Sequence, residues 1–220
     1  MPPMTALTLA EELLLVALDD QRGTLLPMPP YAMEVASAAA LVMELSLLGR
    51  IDSDDRSLTL ISASATGNAL LDDVLARIAA DPGRHSTATW LQRIATLPGL
   101  QERIIDSLVH RGVLKSVEKR LLWVFKTRVY PPTSGLEERE VLSRIMTLLN
   151  NDEIPDPRDA LLVGLLSATK LLDELLSRPE RHRLAARISH ITDLEELNRS
   201  MIRTIGELQI LLASANIGIA

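Results

Sequence analysis

Between Arg111 and Arg128 the chain carries Arg111, Lys115, Lys119, Arg120, Lys126 and Arg128 against Glu118 alone, a local charge of +5 in a protein of formal net charge −6. Inside this stretch lies Leu121-Leu122-Trp123-Val124-Phe125, which holds Trp123 and Phe125 in a chain with only two Trp, two Tyr and one Phe. Cations flanking a short apolar run suit contact with an anionic lipid surface. Each Lys or Arg near such a surface contributes about 1 kcal/mol, and shallow insertion of a Trp or Phe adds on the order of 2 kcal/mol. The opposing net charge acts mostly beyond the Debye length of about 8 Å and is largely screened. Read as a strand, Leu121–Phe125 places Leu121, Trp123 and Phe125 on one face and Leu122 and Val124 on the other. A hairpin apolar on both faces has three uses: burial in the core, pairing with a second subunit, or insertion into lipid.

Other groups capable of chemistry are less concentrated. A second basic cluster, Arg178, Arg181, Arg183 and Arg187 with His182, is opposed by Glu180 and reads either as a solvated helix face or as a patch that joins the first in space. His85, His110, His182 and His190 never pair at i+3 or i+4, so no helical metal clamp is expected. The acid pairs Asp19-Asp20, Asp54-Asp55, Asp72-Asp73, Glu137-Glu138 and Glu195-Glu196 suggest acid–base work only if both members face one site. Adjacent helical residues point apart, so solvated faces and turns are the expectation. Gly67 opens a helix, a place where an anion can bind, but capping or turn duty is the simpler reading. The GxSxG, phosphate-loop, GxGxxG and HExxH signatures do not occur. No catalytic residue, cofactor or metal is expected.

These residues must be positioned by helices. Thr8-Leu9-Ala10-Glu11 has the capping-box pattern, and the following run is apolar nearly all round, which implies burial. The Pro27–Pro30 loop leads to a helix over Tyr31–Leu48, whose small residues Ala36–Ala40 allow close packing and which Gly49 stops. A hairpin is predicted from Ile51 to Ile61, then helices at Asn68–Ala80, Thr87–Thr96 and Leu100–Arg111. After Gly112, Val113-Leu114 and Leu121–Phe125 are the expected strands of a second hairpin. Helices follow at Leu136–Asn150, Pro157–Ser177, Glu180–Ile188 and Leu194–Ser214, with apolar stripes at spacings of three and four. Helix, glycine, charged turn and strand thus occur twice, an order shared with winged-helix DNA binders.

Composition sets the outer bounds. With 220 residues, 47% of them hydrophobic and 24% charged, the chain can build a real core. It is not a disordered segment or, lacking cysteine, a disulfide scaffold. No run reaches the roughly 18 uncharged apolar residues of a spanning helix, and the start is a poor secretory signal. A cytoplasmic protein that meets membranes from one side is expected, with no nucleic-acid partner.

Several blocks, taken in order, carry a family resemblance. Leu7-Thr8-Leu9-Ala10-Glu11-Glu12-Leu13-Leu14-Leu15, Glu44-Leu45-Ser46-Leu47-Leu48-Gly49-Arg50-Ile51, Thr66-Gly67 with Leu70-Leu71-Asp72-Asp73-Val74-Leu75, Leu108-Val109-His110-Arg111-Gly112-Val113-Leu114, and Pro157 through Leu175 resemble the Golgi phosphoprotein 3 family. The resemblance implies a mainly α, single compact helical domain over residues 5–218 with one or two short β-hairpins. It implies a non-catalytic adaptor: eukaryotic members are peripheral Golgi proteins that bind phosphatidylinositol 4-phosphate. They self-associate through the hairpin and retain glycosyltransferases by their cytosolic tails. Their phosphoinositide pocket uses a Trp before the second helix, an Arg on it, and two Arg before the "GVL" block. The matching positions here are Pro29, Ala38, Pro98 and Gln101, with Tyr31 and Arg103 nearby. With no basic leader, the chain resembles a compact prokaryotic-type member.

The expectation is therefore a peripheral adaptor for anionic membrane lipid, with an unidentified client protein and homo-oligomer formation open. Arg103, Arg111, Lys115, Lys119, Arg120, Lys126 and Arg128 are the headgroup candidates, and Leu121, Leu122, Trp123, Val124 and Phe125 the insertion or oligomer hairpin. Two alternatives stand beside it. One is a protein-interaction module that self-associates through that hairpin without lipid. The other is a winged-helix DNA binder using Leu100–Arg111, against which Glu102 and Asp106 on the same helix argue.

Overall fold

The computed structural model describes residues 6–19, 22–53, 57–121, 125–194 and 201–210, with the backbone alone at 119–121 and 125–127. It is mainly helical, with two separate two-stranded antiparallel sheets.

α1 (Leu9–Val16) starts at the predicted capping box: the Thr8 hydroxyl accepts from the Glu11 amide, and the Glu11 carboxylate accepts from the Thr8 amide. Every residue of α1 is buried, as an all-round apolar helix must be. α2 (Ala32–Leu47) is the central post of the fold, packed by α1, α4 and α7. Its alanines Ala36, Ala38, Ala39 and Ala40 are fully buried, so neighbouring helices can approach closely. β1 (Ile51–Ser53) and β2 (Leu58–Leu60) pair Ile51 with Leu60 and Ser53 with Leu58. This hairpin is tied to the start of α4 (Thr87–Ala95) by the Leu58 amide donating to the His85 carbonyl at 3.2 Å and a Ser53–Thr87 hydroxyl contact of 3.0 Å.

α3 (Ala69–Ala80) is capped by Asn68, whose side chain accepts from the Leu70 and Leu71 amides. Its adjacent carboxylates, Asp72 and Asp73, stay half-exposed, and both are engaged. Asp72 accepts from both the amide and the hydroxyl of Thr66, at 2.6 and 2.7 Å, and Asp73 binds Arg103 of α5 (Leu100–His110) at 2.7 Å. Glu138, on α6 (Leu136–Asn150), is by contrast buried. Adjacent helical residues do point apart: Asp72 and Asp73 stay half-exposed, whereas Glu138 turns into the protein.

Three expected elements differ from those observed. Leu121–Phe125 is not one strand: β3 is Val117–Leu121 and β4 is Phe125–Val129, with Leu121 paired to Phe125. Val113-Leu114 lies before β3, and Leu114 forms only an isolated bridge with Pro132. An apolar run resembles a strand by composition, but the polar flanks VEKRL and FKTRV form the ladder. Second, the helix expected over Pro157–Ser177 is two: α7 (Pro157–Ala168) and α8 (Leu171–Leu175). The Thr169 hydroxyl turns back on the Leu165 carbonyl at 2.8 Å, and Lys170 adopts φ +66°, which ends the helix although the apolar stripe continues. Third, α9 (Arg178–Leu194) is longer than Glu180–Ile188. Ser177 caps it with Glu180, and Arg183 and Arg187 reach the Asn150 side chain and the Leu148 and Glu153 carbonyls at the end of α6. Residues 201–210 are helical, within the last helix expected; 195–200 and 211–220 lie outside the described residues.

Candidate functional site

The basic hairpin grows out of α5. At the helix end Gly112 adopts φ +76° and the Val113 amide donates to the Leu108 carbonyl at 2.9 Å. Backbone bonds then join the two arms below the ladder, Thr133 to the Val113 carbonyl at 2.8 Å and Lys115 to the Pro131 carbonyl at 2.9 Å. The base is also held from the loop after α1, where the Tyr130 amide donates to the Gly23 carbonyl at 3.0 Å. Gly23 has φ +65°, and a Cβ there would stand 2.8 Å from the Tyr130 nitrogen, so only glycine lets these backbones meet.

Five cross-strand pairs set the register: Val117 with Val129, Glu118 with Arg128, Lys119 with Thr127, Arg120 with Lys126 and Leu121 with Phe125. Strand period divides them into two sets. Positions 117/129, 119/127 and 121/125 form one face, and positions 118/128 and 120/126 the other. The first face is largely apolar; the second holds Arg120, Lys126 and Arg128 against Glu118. Arg128, Lys115 and Glu118 are exposed; on the apolar face Val129 is buried and Val117 opposite it is exposed, so at the base β4 is the strand that meets the protein. Lys119, Arg120, Leu121, Phe125 and Lys126 are placed by this register; Leu122, Trp123 and Val124 lie outside the described residues.

Two headgroup candidates are engaged elsewhere. Arg103 binds Asp73, and this hydrogen bond is the main reason the Asp73 carboxyl lies below its ordinary range. Arg111 binds Glu11 at 2.8 Å and is mostly buried. It belongs to an ionic cluster that unites five helices. Glu11 also accepts from the Ser107 hydroxyl at 2.7 Å. Arg144 of α6 donates to Glu12 at 2.9 Å and to Asp159 at 2.6 Å. Arg158 of α7 contacts both Glu44 oxygens, at 2.8 and 3.0 Å, approaches Glu12 at 3.5 Å and donates to the Leu7 carbonyl. Burial pushes the Glu12 carboxyl above its ordinary range, against the pull of Arg144 and Arg158. No motif marks this cluster in the sequence, but a signal is there: Glu11, Glu12 and Glu44 interrupt apolar helices, and a buried carboxylate requires cationic or hydrogen-bonding partners.

Residues 9–207 match the family described as Golgi phosphoprotein 3 (GPP34). The chain belongs to that family. A curated relative, Vacuolar protein sorting-associated protein 74 of Eremothecium gossypii, is 29% identical over 164 residues, covering 65% of this chain and 49% of that protein. The chain therefore spans about half the length of this Golgi phosphoprotein 3 relative. Among the described residues no helix is long and apolar enough to cross a membrane.

The positions matched to the phosphoinositide pocket of eukaryotic Golgi phosphoprotein 3 proteins are occupied differently here. Ala38 is wholly buried within α2, so a cation at this position would point into the core. Pro98 is exposed, and Pro29 and Gln101 are half-buried. Tyr31 takes φ +60° and packs partly against the core.

Proposed function

We propose that this Golgi phosphoprotein 3 family member is a non-catalytic peripheral membrane adaptor. Residues 5–218 act as one domain that meets anionic lipid from the cytosolic side, with β3–β4 as the contact arm and a client protein still to be identified. One observation carries the reading: Arg120 stands directly opposite Lys126, on the same face as Arg128. Like charges directly opposed in a ladder are destabilising, and an anionic surface turns that repulsion into attraction. The name of the Eremothecium gossypii relative, a vacuolar protein sorting-associated protein, supports an adaptor role.

The test is flotation of the full chain with phosphatidylcholine vesicles, alone or doped with phosphatidylglycerol, cardiolipin or phosphatidylinositol 4-phosphate. Arg120→Gln/Lys126→Gln removes two cations worth about 1 kcal/mol each, so affinity is expected to fall about 30-fold. Unchanged affinity in this variant, or no binding of the wild type to any anionic vesicle at low salt, sinks the proposal. Trp123→Ala/Phe125→Ala is expected to weaken binding further.

The Leu121–Phe125 pair favours a second reading, in which the arm pairs with another copy of the chain. An unpaired ladder edge is a template for such pairing. Concentration-dependent mass that Phe125→Ala abolishes, without vesicle binding, would select it. The winged-helix reading is disfavoured because Arg103 and Arg111, the cations of its recognition helix, are engaged by Asp73 and Glu11.

A further inference from the structure

The corner between α7 and α8 faces α9 across an open cleft of about 360 Å³. Lys170 and Arg181 bring two cations to it, and Ser167 brings a hydroxyl; the Ser189 and Thr192 hydroxyls also line it, donating to Asp193 at 3.4 Å and to the Ser189 carbonyl at 2.9 Å. The one carboxylate lining the cleft, Asp173, binds Arg181 at 3.2 Å, and both side chains are well exposed. A pair of that kind is weak, so Asp173 can swing away when a stronger anion arrives. The Lys170 ammonium and the Ser167 hydroxyl have no side-chain partner among the described residues.

Lys170 is also unusual in its backbone. Most described residues at positive φ are glycines; Lys170 and Tyr31 are the exceptions. A left-handed residue with a Cβ is strained, and glycine would relieve that strain at the end of α7. The chain keeps a lysine instead, at the mouth of a concave site with a second cation and hydroxyl donors. Charge-assisted hydrogen bonds from ammonium and guanidinium, completed by hydroxyls, are what a phosphate group requires.

We propose that this cleft binds a phosphate monoester dianion, carried either by a soluble metabolite or by a lipid headgroup. The site is built from α7, α8 and α9 and shares no residue with the β3–β4 arm, so it stands whether or not the arm meets lipid. Its sequence signal was only half legible. Arg181 lay in the second basic cluster, but nothing in the sequence pattern marks Lys170 as left-handed.

The test is a backbone-amide NMR titration of the full chain with glycerol 3-phosphate. Saturable shifts are expected at Lys170, Arg181 and Ser189 at millimolar concentration. Lys170→Gly is expected to melt at the same temperature or up to about 3 °C higher, yet to bind about tenfold more weakly. Shifts confined to other regions, no shifts at all, or a Lys170→Gly variant that titrates like the wild type would each overturn the proposal. A vesicle arm identifies the source, using the Arg120→Gln/Lys126→Gln background. Preference for phosphatidylinositol 4-phosphate over phosphatidylinositol vesicles, lost with Lys170→Gly, assigns the site to a headgroup. Binding of glycerol 3-phosphate without that preference assigns it to a soluble phosphate.

Discussion

The fold contains the same local unit twice. α2 ends at Gly49 and leads to β1–β2; α5 ends at Gly112 and leads to β3–β4. Both glycines take positive φ, +63° and +76°, and both helix ends close in the same way, Arg50 donating to Leu45 and Val113 to Leu108, each at 2.9 Å. The outcomes differ. The first hairpin has three cross-strand pairs, buries Ile51 and Leu58, and bonds to the start of α4. The second has five pairs, exposes Val117, Glu118 and Arg128, and is fastened at its base through Gly23 and Tyr130. The helix ends are equivalent; ladder length, charge and anchoring make one hairpin scaffold and the other an arm.

Both units are also clamped to α1 by buried ions, but unequally. Glu44 on α2 receives Arg158, which also serves Glu12, whereas Arg111 at the end of α5 serves Glu11. Without Arg111, Glu11 keeps hydrogen bonds from Thr8 and Ser107; without Arg158, Glu44 keeps only the Leu9 amide, Glu12 keeps Arg144, and the Leu7 carbonyl loses its guanidinium donor. Arg158→Ala should therefore give the largest effect of the set, about 3–4 kcal/mol lost in urea unfolding, and clearly more than Arg111→Ala. Equal losses would break the distinction between the two anchors.

Gly23→Ala comes next. A Cβ in a left-handed residue against the Tyr130 backbone should cost about 2–3 kcal/mol. Hydrogen exchange should quicken over 113–133 while the amides of β1 and β2 stay protected. Protection lost equally in both hairpins would mean that the second is not anchored separately. Gly49→Ala and Gly112→Ala are the sharper control. Neither added Cβ meets any atom within 4 Å, so each should cost about 1 kcal/mol, from backbone strain alone. A clear inequality would show that the helix ends are not equivalent.

The smallest effect concerns acid. Beside the first hairpin, Asp81 accepts from the Gly83 amide, Arg93 and His85, and the Gly83 bond leads in lowering its carboxyl from an ordinary 3.8 to about 2. A carboxylate whose pKa is lower folded than unfolded adds stability in full above the unfolded value. That stability is lost as pH falls through the folded value. The Tm difference between wild type and Asp81→Asn should thus be constant from pH 7 to about 5 and shrink towards pH 2. A difference that persists undiminished at pH 2 would refute the assignment.

Much of the fold was legible because it rests on local rules. The capping box at Thr8, the glycine stops at 49 and 112, and the helices over 69–80, 87–95 and 100–110 follow from periodicity and end signals. The misses share one physical cause. Apolar Leu121–Phe125 resembled a strand, yet a ladder forms where two arms meet in register, and here those arms are polar. The stripe through Pro157–Leu175 resembled one helix, yet the left-handed Lys170 breaks the axis while leaving the apolar period intact. Of the candidate site, the sequence marked the basic hairpin but not which cations were already engaged.

The sequence by itself determined a cysteine-free, largely aliphatic, helical chain of the Golgi phosphoprotein 3 family, with a cationic stretch concentrated at 111–128. Those properties depend on residue type and on spacings of a few positions. Only the tertiary structure decided which charges pair. Arg111 meets a carboxylate 100 positions away, Arg158 one 114 away and Arg144 one 132 away. Such partners are chosen by how helices pack around α2, and a buried carboxylate takes the cation that packing delivers to it. The same packing buries Ala38 and carries Lys170 to Arg181, which determines where an anion has cations to meet.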